Sequence, residues 1–572
     1  MSDTPDLSRT LGWNTYGKGI ESVGRDGRPE VIDVDPPAAD QLLIRVDAVG
    51  LCFSDVKLIR LGGDHPKLYG RDLASDPTRL GHEAVVTVME VGADLADRYR
   101  PGQRLAIQPD IHVDGRSTAY GYTIPGGLIQ YHTIGSEVLD ADDGAYVIPV
   151  DDSLGDAAAA LSEPWACVEA AYTQRRRLET LPGGTLWVAC DPTDTPRYDF
   201  GDVLRRAGTV VITGASPDLD EALRAACAPT AAIVSEPAPA PDQVEALAAA
   251  HTGGDGFDDI VVLAPRAADF ITEAAKRIAF RGTMALIGDE PLDGDPDIDF
   301  GRLHYDYTAY VGTNSGSLED AYGEARNRCE FRAGGVAAFV GAAGPMGQMH
   351  VQRAIEMPDG PDILVAIDPD LARMKVLVAS LAPLAEARGK QLVVVDPSLE
   401  SAREVIDAYT DGRGADDVIV SVPVAPVMAD AGRLMASDGM LVFFAGIANG
   451  TLGPLNMSDV YLGNAQFTGT SGSSIADQAA VLDKAVAGLL SPALNLAAIG
   501  GIEAGRDGIQ AVMEGRFAGK VLIFPQVSGV PLTGLDELEG VAPDVAAELG
   551  ENGTWTREAE AVLRTNYPAS RS

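Results

Sequence analysis

The stretch VAAFVGAAGPMGQMHVQRAIEM, residues 336–357, joins an apolar strand to a helix through a turn rich in glycine. The residues of this turn include Gly341, Gly344, Pro345, Met346 and Gly347. Glycines allow a backbone to approach a diphosphate closely, and the unpaired N–H groups at the start of a helix attract its negative charge. The stretch therefore predicts a dinucleotide-binding turn in a doubly wound α/β domain.

The next strand, DILVAID, ends at Asp368, 21 residues after Gly347. An acidic side chain at this place accepts hydrogen bonds from the adenosine ribose and repels a 2′-phosphate, so NAD is favoured over NADP. Arg373 lies close enough in sequence to soften that preference. The spacing departs from the GxGxxG pattern, because Ala342 stands two residues before Gly344. An ordinary strand–helix turn is the alternative interpretation.

An internal repeat around this stretch predicts the domain organisation. Three blocks recur at an offset of 157–158 residues: DDIVVLAP from Asp258 and DDVIVSVP from Asp416, TMALIGD from Thr283 and MLVFFAGI from Met440, and YVGTNSG from Tyr310 and FTGTSG from Phe467. Alternating strands and Ala-rich helices form parallel sheets that helices cover on both faces. We therefore expect two successive six-stranded doubly wound domains, over residues 183–332 and 333–498.

The first copy lacks the glycine turn. After TLWVAC it continues as DPTDTPRYDFGDVL, which places Asp191 and Asp194 where the second copy carries glycines. Carboxylates at that position would repel a diphosphate, so we expect this copy to be degenerate and to bind no dinucleotide. The near-constant offset favours a true duplication over a weak likeness between two domains of the same architecture.

The region before residue 150 is β-rich, with short apolar runs separated by Gly, Pro and Asp turns. Cys52 follows one such run, His82 precedes another, and Glu163 stands near the start of a predicted helix. A thiolate, an imidazole and a carboxylate can bind a tetrahedral zinc ion and leave one position for substrate. Taken singly, each has an ordinary explanation: a buried thiol, a turn histidine and a charge favoured by the helix dipole.

Together these residues resemble a known family. A Cys-x-Ser-Asp motif, a Gly-His-Glu motif that begins 29 residues after the cysteine, a Glu-Pro at a helix start and then a nucleotide-binding domain resemble the zinc-dependent medium-chain dehydrogenase/reductase family. Glu163 as the third ligand is similar to its polyol branch, typified by sorbitol dehydrogenase. The segments LIRLGGDHPK, EPWACV and GAAGPMGQM are similar to sorbose-1-phosphate reductase-like members of that branch.

The resemblance implies a GroES-like zinc catalytic domain over residues 1–182 and an NAD-binding Rossmann domain over residues 333–498. Residues 499–572 would return to the catalytic domain and end in an acidic helical tail at the surface. Residues 183–332 form a degenerate Rossmann-like duplicate that is not part of the usual family plan.

By position, the resemblance makes Cys52, His82 and Glu163 the ligands of one catalytic zinc ion. Glu83 would be an adjacent carboxylate able to join or support these ligands. Cys167 lies four residues after Glu163 on the same helix face, where it is either a rival ligand or a buried helix residue.

The resemblance also implies that Ser54 passes the substrate hydroxyl proton outward and that Asp55 orients the metal site. Lys57 would end the proton relay or meet an anionic group of the substrate, and a solvated lysine is the alternative. The rest of the NAD site is expected at strand-end turns, at Ala445, Gly446 and Thr470.

Many relatives hold a second, structural zinc ion with four closely spaced cysteines after the Gly-His-Glu strand. Here residues 90–150 contain no cysteine, so we expect no structural zinc ion. His65, His112 and His132 are then expected to be loop or strand histidines rather than metal ligands.

The function implied is reversible oxidation of a secondary alcohol to a ketone on a polyol, sugar or sugar phosphate, with zinc and NAD as cofactors. The alternative is a non-catalytic NAD(H)-binding scaffold or sensor with the inserted domain as its interaction surface. The net charge of −40 argues against non-specific binding of nucleic acid or of anionic membranes. Five scattered cysteines indicate a reducing cytoplasm rather than a disulfide framework, and we expect a homo-oligomer.

Overall fold

The computed structural model describes residues 8–173, 176–194 and 197–569. Both ends of the chain contribute to one eight-stranded sheet. In chain order its strands are Leu42–Leu51, Glu83–Val91, Arg104–Ile107, Tyr131–Ile134, Val147–Pro149, Leu496–Gly501, Lys520–Phe524 and Thr533–Gly534. Lys520–Phe524 pairs antiparallel with Leu42–Leu51, so the sheet carrying the predicted zinc ligands is completed by residues that follow both doubly wound sheets.

Two six-stranded parallel sheets confirm the predicted doubly wound α/β architecture. The first contains Thr185–Ala189, Thr209–Thr213, Ala232–Glu236, Phe257–Leu263, Ile278–Ile287 and Ala309–Thr313. The second contains Val336–Val340, Ile363–Ile367, Gln391–Val395, Ala415–Val420, Met435–Phe443 and Gln466–Gly469. In both, the strands lie side by side in the order third, second, first, fourth, fifth, sixth, which is the order typical of dinucleotide-binding domains.

The repeat extends to an irregularity of the sheets. A register shift follows Phe257 in the fourth strand of the first sheet, and another follows Ala415 at the matching place in the second. Such shifts are retained features rather than accidents of packing, so their recurrence supports duplication. The bounds of the predicted domains remain predictions.

Helices cover both faces of the two parallel sheets and flank the eight-stranded sheet. The helices are Phe53–Leu61, Ser136–Leu139, Asp156–Ala160, Ser162–Thr173, Pro217–Ala226, Val244–Thr252, Ala268–Ala275, Phe300–Tyr305, Leu318–Tyr322, Pro345–Glu356, Leu371–Ala387, Ala402–Thr410, Ala425–Ala431, Ser458–Leu462, Ile475–Val486, Gly505–Glu514, Pro543–Ala546 and Arg557–Asn566. None of the helices in the described ranges is long and apolar enough to cross a membrane.

The two copies differ after their first strands. In the second copy Val336–Val340 leads into the helix Pro345–Glu356, whereas the described part of residues 190–208 forms only the short 3-10 turn Val203–Arg205. Residues 195 and 196 of the predicted degenerate segment lie outside the described residues. Without a helix N-terminus at this place, the first copy lacks the group that would bind a diphosphate.

The C-terminal tail is helical, as predicted, but it is built into the core rather than lying at the surface. Its buried apolar residues are Trp555, Ala559 and Leu563. Glu560 accepts hydrogen bonds from the backbone N–H groups of Asp156 at 2.5 Å and of Ala157 at 2.8 Å. A carboxylate at a helix N-terminus satisfies N–H groups that have no partner within the helix, which explains a buried acidic residue in a tail that looked solvent-exposed.

Arg353, on the helix after the glycine turn, joins the second doubly wound domain to the helix Ser162–Thr173. Its guanidinium makes two 3.0 Å hydrogen bonds to the buried carboxylate of Glu169 and two of 2.7 Å to Glu330. The guanidinium carbon also lies 4.0 Å from the centroid of the Tyr172 ring. Burial tends to raise the pKa of Glu169, but Arg353 and Lys484 outweigh it and hold that pKa below its ordinary value.

Replacing this arginine by Met is expected to lower the free energy of unfolding by about 3 kcal/mol, because it removes the main partner of a buried carboxylate. The control Arg433→Met removes an exposed ion pair with Asp430 and should cost at most about 1 kcal/mol. Urea unfolding at pH 7 would measure both, and equal losses would contradict the assignment. Since the folded pKa of Glu169 is lowered, its contribution is present above about pH 4.3 and lost as the pH falls, so the deficit of Arg353→Met should shrink in acid.

Candidate active site

Three potential metal ligands meet where two strands of the eight-stranded sheet begin and end. One ligand atom each from Cys52, His82 and Glu83 lies within 4.8 Å of the other two. Cys52 directly follows the strand Leu42–Leu51, and Glu83 opens the neighbouring strand. Antiparallel pairing of Gly50 with Glu83 brings the end of one strand to the start of the other. Two predicted ligands and the predicted adjacent carboxylate are therefore assembled by the sheet itself.

The carboxylate of Asp55 lies beside the imidazole of His82. Its Oδ1 lies 3.4 Å from His82 Nδ1, and the carboxylate accepts hydrogen bonds from the N–H groups of Cys52 and Gly81. Burial tends to raise the pKa of Asp55, but His82 and these backbone donors hold it below its usual range. A carboxylate at Nδ1 leaves Nε2 as the nitrogen available to a metal ion, which is the common arrangement behind metal-binding histidines.

Lys520 forms a buried ion pair with Glu83, a contact that the sequence analysis did not predict. Its Nζ donates to Glu83 Oε1 at 2.5 Å and to the carbonyl oxygen of Leu51 at 3.2 Å. Burial disfavours the ammonium, yet Glu83 more than compensates and raises the pKa of Lys520. The other oxygen, Oε2, is buried and has no hydrogen-bond partner among the described residues. The one sequence signal was a lysine at the start of the otherwise apolar strand KVLIF.

Glu163 lies near this group of ligands but outside it. It stands in the first turn of the helix Ser162–Thr173, and burial raises its pKa to about 7. His82 lowers that pKa, whereas Glu83 raises it, so the carboxyl shares their electrostatic environment. Cys167, the rival ligand, has its Sγ 3.8 Å from Glu163 Oε1, and burial raises the pKa of its thiol.

Lys67, Asp110 and Tyr122 surround the site, and sequence reasoning missed all three as site residues. Lys67 Nζ lies 2.8 Å from Asp110 Oδ1 and 5.2 Å from the centroid of the Tyr122 ring. That ring is in turn 6.0 Å from the ring of His82. Burial tends to raise the pKa of Asp110, but Lys67 holds it low, so this paired charge is retained beside the site.

The other three histidines of this region, His65, His112 and His132, lie outside the cluster of Cys52, His82 and Glu83. Burial lowers the pKa of His65 to about 4 and that of His132 to about 3, so both imidazoles are neutral. His132 Nε2 lies 2.8 Å from the hydroxyl of Tyr120, and His112 Nδ1 lies 2.9 Å from the carbonyl oxygen of Asp110.

The glycine turn has the geometry that its sequence predicts. Gly341 adopts a φ of 81°, and Gly344 caps the helix that begins at Pro345. Met346 is half-buried in the first turn of that helix. A Cβ on Gly347 would lie 2.1 Å from the carbonyl oxygen of Gly341, so only glycine fits.

Asp368 and Arg373 lie beside this turn but face different partners. Asp368 accepts hydrogen bonds from the N–H groups of Ala343 at 3.1 Å and Asp370 at 2.9 Å, which places its carboxylate against the turn. Arg373 instead donates to the carbonyl oxygen of Gly515 and lies 3.5 Å from Asp370. The guanidinium of Arg373 is therefore paired with Gly515 and Asp370.

The other predicted cofactor residues lie at the ends of the fifth and sixth strands. Ala445 and Gly446 follow Met435–Phe443, and Thr470 follows Gln466–Gly469. The hydroxyl of Thr470 is buried and has no hydrogen-bond partner among the described residues. Gln108 Nε2 donates to the carbonyl oxygen and the hydroxyl of Ser473 at 3.0 and 2.8 Å. These bonds join the segment after the sixth strand to the eight-stranded sheet.

Comparison with known proteins shows similarity to alcohol and polyol dehydrogenases. The family model "Alcohol dehydrogenase GroES-like domain" matches residues 38–140. The L-sorbose 1-phosphate reductase of Klebsiella pneumoniae is 27% identical over 344 residues, which cover 55% of this chain and 77% of the reductase. These matches show that the chain is similar to medium-chain alcohol and polyol dehydrogenases.

Other similar proteins differ in how much of the chain they cover. The mannitol-1-phosphate 5-dehydrogenase of Aliivibrio fischeri is 32% identical over 255 residues, which span 42% of this chain and 59% of that enzyme. The uncharacterized protein YggP of Escherichia coli is 23% identical over 564 residues, 96% of each chain. The structure of 2R,3R-butanediol dehydrogenase from Bacillus subtilis superposes with a TM-score of 0.50 at 15% identity, covering 90% of this chain and 99% of that one, which shows a shared fold.

Replacing Gly347 by Ala tests the turn directly. The added methyl group would force the backbone of the turn to move, so the Kd for NADH should rise at least about tenfold, the equivalent of about 1.4 kcal/mol. Calorimetric titration would measure it. Gly540→Ala is the matched control, because a Cβ there meets no heavy atom within 4 Å and the residue has no positive φ. An unchanged affinity in a folded Gly347→Ala variant would contradict the assignment.

Proposed function

We propose that this chain is a zinc-dependent oxidoreductase that transfers a hydride between a secondary alcohol and NAD. The observation that carries the proposal is the convergence of Cys52, His82 and Glu83, backed by Asp55, in a sheet connected to the domain that bears the glycine turn. A protein that only bound NAD(H) as a scaffold would gain nothing from such a ligand cluster.

The donor set suits zinc. A thiolate and an imidazole are the nitrogen and sulfur ligands that zinc prefers, and a carboxylate completes a three-residue catalytic set. We propose Cys52, His82 and Glu163 as the ligands, with Glu83, whose Oε1 is paired with Lys520, as the adjacent carboxylate. The unpartnered buried Oε2 of Glu83 and the carboxylate behind His82 both fit a positive ion at this place. When bound, zinc would act as a Lewis acid that lowers the pKa of the substrate hydroxyl.

The proton of that hydroxyl needs a path out. Ser54 Oγ lies 3.7 Å from Cys52 Sγ, so its hydroxyl is beside the proposed ligands and able to take the proton. Lys57, half-buried one turn further along the same helix, is placed to receive it or to meet an anionic group of the substrate.

The second doubly wound domain would hold the cofactor. Gly341, Gly344 and Gly347 leave room for the diphosphate, and the carboxylate of Asp368 would accept hydrogen bonds from the ribose. Because Arg373 is occupied by Gly515, we favour NAD over NADP. NAD would supply the hydride acceptor, and the protein's part is to place it against the substrate carbon.

The substrate class we propose is a polyol, sugar or sugar phosphate. Two of the curated relatives are called mannitol-1-phosphate 5-dehydrogenase and L-sorbose 1-phosphate reductase, which favours a phosphorylated polyol or ketose. A screen of polyols, polyol phosphates and simple alcohols with NAD and NADP, followed by NADH absorbance, would test this. Turnover should be fastest with NAD and a polyol phosphate.

Metal content tests the ligand assignment. The wild type should carry about one zinc ion per chain, and Cys52→Ala and His82→Ala should lose both the zinc and the turnover while retaining NADH affinity. Cys227→Ala, a buried cysteine of the first copy, is the matched control and should keep both. A wild-type protein that lacks zinc and oxidises no alcohol would contradict the proposal and favour the NAD(H)-binding scaffold.

Comparison of Glu163→Gln with Glu83→Gln separates the two carboxylates. If Glu163 is the ligand, its variant should lose zinc more readily under dialysis against a chelator than the Glu83 variant, since a supporting residue typically changes metal affinity by about 10–100-fold. The opposite order would show that Glu83 is the ligand.

A further inference from the structure

The two doubly wound domains contact each other through matching parts of the repeat. Asp297–Asp299 of the first copy pairs antiparallel with Leu452–Pro454 of the second, with Ile298 opposite Gly453. Antiparallel pairing of equivalent segments is what a two-fold axis produces in a symmetric dimer. Here both halves of the contact belong to one chain.

The helices next to this ribbon repeat the symmetry. A Cβ on Gly469 would lie 2.6 Å from the carbonyl oxygen of Leu303, and a Cβ on Gly312 would lie 2.7 Å from the Cβ of Tyr461. Gly312 and Gly469 are 157 residues apart, and Leu303 and Tyr461 are 158 apart, as the repeat requires. Each copy therefore lays its short helix against the last strand of the other.

Further contacts fix this interface. Tyr461 donates to the carbonyl oxygen of Glu290 at 2.7 Å, and Leu292 N–H donates to the hydroxyl of Ser458 at 3.0 Å. The Tyr307 hydroxyl donates to the carbonyl oxygen of Ser471, in the turn assigned to the cofactor. The first copy is therefore held against the second copy by several independent polar contacts.

His304 and Tyr305 of the first copy lie next to Gly446, in one of the turns predicted to bind the cofactor. A Cβ on Gly446 would lie 3.0 Å from His304 Nε2 and 2.4 Å from the hydroxyl of Tyr305. His304 Nδ1 lies 3.2 Å from the carbonyl oxygen of Phe443, at the end of the fifth strand. Because a carbonyl only accepts, Nδ1 carries the proton and Nε2 is left as an acceptor beside Gly446.

The degenerate copy lies where a second subunit would lie in a symmetric dimer. We propose that His304, which this copy contributes, is a positioning residue for the nicotinamide end of the cofactor bound by the other copy. This inference rests on the proposed function, whose cofactor site is expected to include Gly446 and Thr470. The Phe443 contact orients the imidazole, and Nε2 faces the turn against which the nicotinamide would lie. Burial lowers the pKa of His304 to about 4, and Lys57 adds to this, so the ring is neutral and its Nε2 can accept a hydrogen bond at neutral pH.

Three substitutions at this position separate positioning from packing. Gln carries a polar group at a position similar to Nε2, whereas Asn carries one near Nδ1, the atom that contacts Phe443. We expect His304→Ala and His304→Asn to raise the Kd for NADH about fivefold to tenfold, the loss of one hydrogen bond, and His304→Gln to restore it largely. A purely structural role would instead let Asn restore the affinity.

Calorimetric titration of the full chain with NADH gives the readout, with thermal unfolding to show that each variant is folded. His251→Ala is the matched control: this histidine lies in the first copy, where its Nε2 is 2.8 Å from Glu236. Wild-type affinity in His304→Ala, or rescue by Asn rather than Gln, would overturn this inference while leaving the proposed function intact. A wild type that binds no NADH would overturn the proposed function and this inference with it.

Discussion

The last strand of a doubly wound sheet has an edge that pairs with no further strand of that sheet. In this protein each copy of the repeat packs against this edge of the other copy, and the arrangement of the two domains depends on that contact. Gln466–Gly469 ends the second sheet and Ala309–Thr313 ends the first. Arg176 donates to carbonyl oxygens of both edge strands, at Tyr310 and Phe467. An uncovered edge offers unpaired backbone groups to other chains. Here one copy of the repeat covers the other.

This covering connects the repeat in the sequence to the candidate site. Because the two copies share one architecture, they meet through equivalent surfaces, as two identical subunits would. The copy without a glycine turn contributes its short helix at the turn where Gly446 lies, while the copy with the turn retains the strand ends and Asp368. The eight-stranded sheet brings Cys52, His82 and Glu83 together. Loss of dinucleotide chemistry in one copy is compatible with a continuing role beside the other.

Features with a local or periodic signal could be predicted from the sequence. The two six-stranded sheets follow from a repeat of apolar blocks, and the convergence of Cys52 with His82 was expected from the resemblance of their motifs to a known family. What could not be predicted depends on contacts between distant residues. Lys520 reaches Glu83 across 437 positions of the chain, and Glu560 reaches the helix at Asp156 across 404. No periodicity encodes such partners, so the sequence pattern did not reveal that Lys520 and Glu560 are buried.

The stoichiometry of NADH binding tests the central claim of this account, that one copy of the repeat binds the cofactor and the other supports it. Isothermal titration of the intact chain with NADH should give about one site per chain, since only the second copy has the glycine turn and the helix N-terminus that bind a diphosphate. Two equivalent sites per chain would show that the first copy is a working cofactor domain, and an absence of binding would show that neither copy is; either result would contradict the account.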